Sequence, residues 1–393
     1  MRSFSVAERR TRLARRHLLA EASDQPVVDV AGSFVGLHAT DPATPYLSLW
    51  ARLDGFRVAD LDAAMYQDRT VVKHLAMRRT LWVFDVGDLA AVQSAASDRV
   101  AGAERKKLIA DVVKAGIAAD GGAWLDEASA AVLAHLRDHG HASARELREA
   151  LPQLAGTYDA APGKPYGGAG PISPRVLTVL GAEGRLVRGP NDGGWTTSRP
   201  KWTPAAHWLG ANEPTEPGAA RATLIRRWLR AFGPATVTDV KWYFGHTLTW
   251  ARDGLRDVGA VEVDMDGTAG FVLPDDLEPE PAVDRWCALL PGLDVTTMGW
   301  KDRDWYLGEH EAQVFDRNGN GGPTAWCDGR IVGAWTQDAD GRVVPRLTEK
   351  VDARASKALA RKAEELTDWL DGTRVAARFP SPLSKSPSKA TPG

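Results

Sequence analysis

In the stretch GLHATDPATPYLSLW, residues 36–50, a histidine and a threonine stand at alternate positions, His38 and Thr40, with Asp41 next in line. If the backbone is extended there, that alternation puts both side chains on one side. An imidazole has a reference pKa of ~6.5, and a positioned base typically contributes ~10²- to 10⁴-fold to a rate. A neutral His38 can take a proton from water, and Thr40 can hold the same water or a phosphate through its hydroxyl. Asp41 can face a developing cation. A protonated His38 would oppose such a cation, so activity is expected to fall below the histidine pKa. Residue types alone also allow a bland reading: Asp41 as the turn acceptor before Pro42, and His38 as a satisfied turn or core histidine.

Other constellations carry less. DRNGNG, residues 316–321, fits the first half of a calcium loop, but position 12, where the bidentate Glu belongs, is Cys327. It reads as a hairpin turn. His135, His139 and His141 have ligand-like spacing without the carboxylate of a His-Glu-x-x-His helix, and read as helix-end histidines. No glycine-rich dinucleotide or phosphate loop and no nucleophile elbow occurs, so neither metal nor cofactor is expected. Two cysteines, Cys287 and Cys327, are too few for a disulfide framework or a four-ligand zinc site, and reduced thiols are the expectation. The N-terminus is charged where a signal peptide is apolar, and no run approaches the ~18 apolar residues of a membrane span. A cytoplasmic, nucleoid-associated monomer without membrane contact follows as the expectation.

The chain that must position the turn has 393 residues, enough for two to four domains, and is 44% hydrophobic with a formal net charge of -2. Binding to nucleic acid would therefore need a local basic patch. Two segments share a pattern. WLDEASAAVLAHLRDHGHASARELREAL (124–151) and AARATLIRRWLRAFGPATVTDVKWYF (219–244) each read as helix, glycine turn and capped helix. Each precedes a third helical stretch and a hairpin, with turns at NDGG and at Asp266-Gly267. That order predicts tandem winged helix-turn-helix units. The N-terminal ~100 residues read as a third, more divergent copy. After residue 283, short strands with Gly and Asn-Gly or Asp-Gly turns predict a small β-barrel.

The expected fold is thus α+β, with three winged-helix units and a C-terminal β-barrel around a DNA-binding concavity. The expected boundaries are 1–120 (carrying the turn), 121–215, 216–282, a barrel over 283–351, a helix over 352–378 and a disordered tail over 379–393. Arg9, Arg10, Arg12, Arg15, Arg16 and His17 form a basic block, and residues 257–284 are acidic. A basic concave face with an acidic back would reconcile the two.

FVGLHATDPATPYLSLWARL resembles the signature turn of the AlkZ/YcaQ family of winged-helix DNA glycosylases. MRRTLWVFDVGDL (77–89) resembles that family's Met-Arg-x-Thr-Leu-His strand, and FDRNGNGGPTAWCDGRIVGAW its barrel hairpins. The resemblance runs from about residue 5 to about residue 370. It implies hydrolysis of alkylpurine N-glycosidic bonds without strand cleavage, as a step of base excision repair. The chain departs from the family at the chemistry, with His38-Ala39-Thr40 in place of Gln-x-Gln or Gln-x-Asp, and Trp82 in place of His. Members with altered motifs resemble specialists in antibiotic self-resistance, which implies double-stranded DNA bearing bulky N7-guanine adducts as the partner. His38, Thr40 and Asp41 are then the catalytic candidates. Arg78, Arg79 and Arg303 are candidates for phosphates, and Tyr46 or Trp82 for the lesion. A non-catalytic winged-helix DNA-binding regulator is the alternative, and it needs no His38.

Overall fold

A computed structural model of the chain describes residues 1–159, 168–210 and 213–385. Helices and strands are mixed along the chain, with runs of consecutive helices between short hairpins. The chain divides into two compact units, Met1–Leu61 with Ala222 onward, and Asp62–Arg221. This differs from the sequential plan, since residues 1–120 form no unit of their own.

In the first unit the helix Val6–Arg16 starts at Ser5, whose side chain accepts the Glu8 N–H. Phe4, just ahead of it, packs with Val263 and Val272 of the distant hairpin Val261–Met265 and Thr268–Val272. That hairpin turns where expected: Asp266 and Gly267 both have positive φ, 50° and 87°. The helices Pro217–Phe232, Val237–Phe244 and Leu248–Asp257 precede it, the second closed by a capping box between Thr236 and Asp239.

The basic block does not lie opposite the acidic run. Arg12 lies 3.0 Å from Asp276, and Arg16 lies 2.6 Å from Asp276 and 2.8 Å from Glu280. Arg9 covers the Trp305 ring at 4.2 Å. These charges neutralise each other inside one unit because both are half-buried or buried, where an unpaired charge is costly. The expectation of a basic face built on this block is corrected accordingly.

His17 is fully buried. Its ring stacks on Trp300 at 5.6 Å, its Nδ1 lies 2.7 Å from Thr296 Oγ1, and its Nε2 lies 3.2 Å from the Ala231 carbonyl. Burial, and then the charge of Arg52, push its pKa down to about 3. The unfolded chain takes up that proton near pH 6.5 and the folded chain does not, so stability falls as pH drops through this window. From pH 7 to pH 5 the loss is expected to be about 2 kcal/mol. Urea titrations at both pH values check it: His17→Phe keeps the stacked ring and should reduce the loss between the two pH values by about that amount, leaving the contribution of the buried His74, whose pKa burial lowers to about 4.

Four strands, Cys287–Leu290, Thr324–Cys327, Arg330–Gln337 and Val343–Leu347, form an antiparallel meander in sequence order. Among the described residues the first and last strands do not pair, so the expected barrel is an open sheet. The helix Ala353–Leu370 packs against both of those strands and buries Leu359, Ala363, Leu366 and Leu370. Helix packing thus covers the apolar surface that barrel closure would otherwise bury. Cys287 and Cys327 are direct cross-strand partners and form a disulfide, against the expectation of free thiols. The tail is ordered further than expected. Ser381 is fully buried, and the Leu383 N–H donates to the Gln313 carbonyl at 3.1 Å. Residues 386–393 of the expected disordered tail lie outside the described residues.

In the second unit, Gly121–His139 ends at Gly140 with φ 81°, and Ser143 and Glu146 form a capping box for Ala144–Ala150. Ser173–Ala182 and the hairpin Leu186–Asn191 with Pro200–Pro204 follow. Leu125, Val132, Leu136, Leu147, Val176 and Trp202 share its core. In this unit a further strand pair, Thr157–Asp159 with Ala169–Pro171, lies between the second and third helices, whereas in the first unit the three helices run directly into the hairpin. No described helix is long and apolar enough to cross a membrane.

Candidate active site

The turn is built from both ends. Leu37–His38 is extended, and the Thr40 N–H donates to His38 Nδ1 at 3.4 Å. His38 is 2% exposed and Thr40 is half-buried.

Asp41 closes the turn. Its Oδ1 accepts the Ala43 N–H at 3.1 Å and its Oδ2 accepts the Arg378 N–H at 2.8 Å. The helix Thr44–Trp50 follows, with Pro45 in its first turn, where a missing N–H is harmless. Burial pushes the Asp41 carboxyl up from its ordinary value, opposed by the N–H groups of Arg378 and Ala43. Each carboxyl oxygen thus meets one main-chain N–H in a nearly closed environment.

The helix after the turn is anchored at three points. Thr44 donates its hydroxyl to the Gly292 carbonyl at 2.7 Å, and Ser48 donates to Asp294 at 2.6 Å. Arg52, just past the helix end, meets Asp294 with two guanidinium nitrogens, at 2.9 and 2.8 Å, with both side chains fully buried. Its Nη2 also donates to Thr296 Oγ1 at 2.8 Å, linking the turn's support to His17.

The structure brings His38, Thr40 and Asp41 together and adds Arg378, which sequence reading missed. Arg378 comes one residue before a stretch that reads as disordered, and nothing local marks it. Tyr46 is 2% exposed and Arg303 is 5% exposed, the latter under Phe315 at 4.2 Å. Neither presents its side chain to DNA as it stands.

The second unit holds the other candidates on the hairpin Val71–Leu75 and Leu81–Asp85. Trp82 is fully buried and donates from Nε1 to Thr80 Oγ1 at 2.8 Å, so it is core, not a free stacking surface. At the tip, Arg78 and Arg79 have φ of 55° and 61°, and the Thr80 N–H donates to the Met77 carbonyl at 3.1 Å. This turn usually carries Asn-Gly, and each L-residue in it costs about 1–2 kcal/mol. Arg79 is held by Glu104 at 2.6 and 2.9 Å while remaining exposed. Arg78→Gly is expected to raise unfolding stability by about 1 kcal/mol by releasing that strain. Urea unfolding checks it.

Lys73, on the same hairpin, is pushed down to about 8 by burial and then by the charge of Arg188. The cleft beside it holds about 20 Å³, room for roughly one water. Among the described residues no group of three or more His, Cys, Asp or Glu could hold a metal ion.

A family model described as DNA glycosylase AlkZ-like matches residues 31–369. An interstrand DNA cross-link repair glycosylase of Streptomyces sahachiroi is 34% identical over 172 residues, covering 41% of this chain. The matched stretch spans 45% of that relative's length. The solved structure of Streptomyces sahachiroi DNA glycosylase AlkZ shares the fold, with a TM-score of 0.71 at 23% identity, over 95% of this chain and 98% of that one. With most of its length matched, the chain belongs to the AlkZ-like DNA glycosylase family.

Proposed function

We propose that the protein is a monofunctional DNA glycosylase that hydrolyses the N-glycosidic bond of bulky N7-alkylguanine adducts in duplex DNA, in self-resistance to a DNA-alkylating natural product. The observation that carries this reading is the anchored turn His38–Thr40–Asp41 in a chain of this family. An N7-alkylated guanine is already cationic and leaves readily. What remains is to stabilise an oxocarbenium-like sugar and to place a water at C1′. Asp41, ionised, supplies the negative charge. His38 and the Thr40 hydroxyl, two residues apart in this turn, are assigned to hold that water and take its proton. Since His38 is almost wholly buried, DNA engagement must open the path to it.

The repeated helix–turn–helix–helix–hairpin segments support winged-helix units as the DNA-binding parts. The relative's name, an interstrand cross-link repair glycosylase, supports a bulky lesion over a small methylated base.

Single-turnover incubation with a duplex oligonucleotide bearing a bulky N7-guanine adduct, followed by hot alkali, tests the reading. Strand breaks at the adduct are expected only after alkali. Binding without any alkali-labile product would favour the non-catalytic regulator. Breaks before alkali, with borohydride trapping on protein, would point to a lysine nucleophile.

A further inference from the structure

Beyond the helix Ala353–Leu370 the chain runs back across its own unit, past the last residue matched by the family model, 369. Gln337 holds the start of this strap: its Nε2 donates to the Thr373 carbonyl at 3.0 Å, and its Oε1 accepts the Val375 N–H at 2.8 Å. In the middle, the Arg378 N–H donates to Asp41 Oδ2 at 2.8 Å and the Arg378 Nη1 to the Thr40 carbonyl at 3.2 Å. At the far end Ser381 is fully buried against Gly322, where an added Cβ would lie 2.5 Å from the Ser381 Oγ and 3.0 Å from its backbone nitrogen. The Leu383 N–H reaches the Gln313 carbonyl at 3.1 Å. Between these anchors, Val375 and Ala377 close over Asp41, Ala43 and Thr44 with about 10 Å³ of space left.

We infer that the strap 373–385 is a working part of the site and that Arg378 is its positioning residue, fixing the Asp41 carboxylate and the Thr40 peptide in one geometry. Asp41 is 6% exposed, and two N–H groups reach its carboxylate oxygens, one from its own turn and one from the strap. A buried carboxylate oxygen stripped of its donor turns toward water, and the turn follows it. The guanidinium grips the preceding carbonyl, so side chain and main chain of one residue hold adjacent groups of the turn. Composition alone would leave this segment loose. The anchors at Gln337 and Ser381 hold it in place, so Arg378 meets the turn already ordered. The inference rests on the glycosylase reading only for its consequence on excision.

Two full-length variants test it from opposite directions. Arg378→Pro removes the N–H that Asp41 accepts. Gly322→Ala pushes on Ser381 and lifts the strap without touching the turn, and Ser381→Gly added to it restores room. Hydrogen exchange followed by mass spectrometry reads residues 39–44. Both single variants are expected to speed exchange there at least tenfold, with residues 324–337 and the melting temperature little changed, and the double variant to recover. In single-turnover excision of the N7-adduct duplex, both single variants should be at least tenfold slower with Kd within twofold. Should either variant fail to fold, the other carries the test. Unchanged exchange over 39–44 overturns the inference, and faster exchange with normal excision overturns the strap's part in the reaction. If the native protein excises nothing while exchange behaves as expected, the proposed function falls and the positioning by Arg378 stands.

Discussion

Replacing His38 with alanine is expected to slow base excision at least tenfold without weakening binding to the same duplex. A positioned base typically contributes about 10²- to 10⁴-fold. A cationic leaving group lowers the demand on that base, so the lower part of this range is the expectation. Burial of the ring argues the same way, because a histidine that is 2% exposed contributes little direct contact with DNA before engagement. His38→Gln should retain more activity than His38→Ala, because an amide can still orient a water though it cannot take its proton. Single-turnover rates at saturating enzyme, with anisotropy for binding, separate the two effects. Normal excision by His38→Ala would remove this residue from the mechanism.

The largest loss of stability is expected at the ion pair beneath the turn. Arg52→Ala leaves Asp294 charged and fully buried, with the Ser48 hydroxyl and the Thr296 N–H as its remaining donors. Burial alone would push the Asp294 carboxyl up, but Arg52, helped by Ser48 and Thr296, holds it below its ordinary value. Breaking one side of such a pair costs about 3–5 kcal/mol, whereas replacing both sides with apolar groups of similar volume is often nearly neutral. Arg52→Ala is therefore expected to lose about 3–5 kcal/mol in urea unfolding, and Arg52→Met with Asp294→Leu to recover most of it. Equal losses in the single and the double variant would show that the side chains act by shape and not by charge. The pair secures the helix that begins at Thr44, so the single variant should also slow excision.

The features that could be read from residue order were local ones. Ser143 and Thr236 cap helices, Gly140 ends one and Asp266-Gly267 turns a hairpin, because each acts on backbone within a few residues. His38, Thr40 and Asp41 were legible through alternation and through the motif that surrounds them. What escaped was long-range. Arg12 meets the Asp276 carbonyl across 264 positions, and no periodicity marks that partnership. The basic block therefore looked like a DNA face when it is largely an internal counter-charge. Trp82 and Tyr46 looked like stacking groups because aromatic rings serve cores and bases alike, and burial decides between them. The strap is the sharpest case. Pro, Ser and Lys lower the drive to fold, yet one buried serine and a few backbone hydrogen bonds order residues 379–385. The open sheet in place of a barrel follows from a helix whose apolar face covers the strands that would have closed it.

The central claim is that this turn hydrolyses a glycosidic bond, and release of the free base tests it most directly. The native protein is mixed in excess with a duplex bearing a bulky N7-guanine adduct, and the supernatant is analysed by liquid chromatography and mass spectrometry. The account predicts the intact adducted base in solution and an unbroken strand with an abasic sugar, both strongly reduced with His38→Ala. Tight binding with no free base, or release that is equal with His38→Ala, would contradict it.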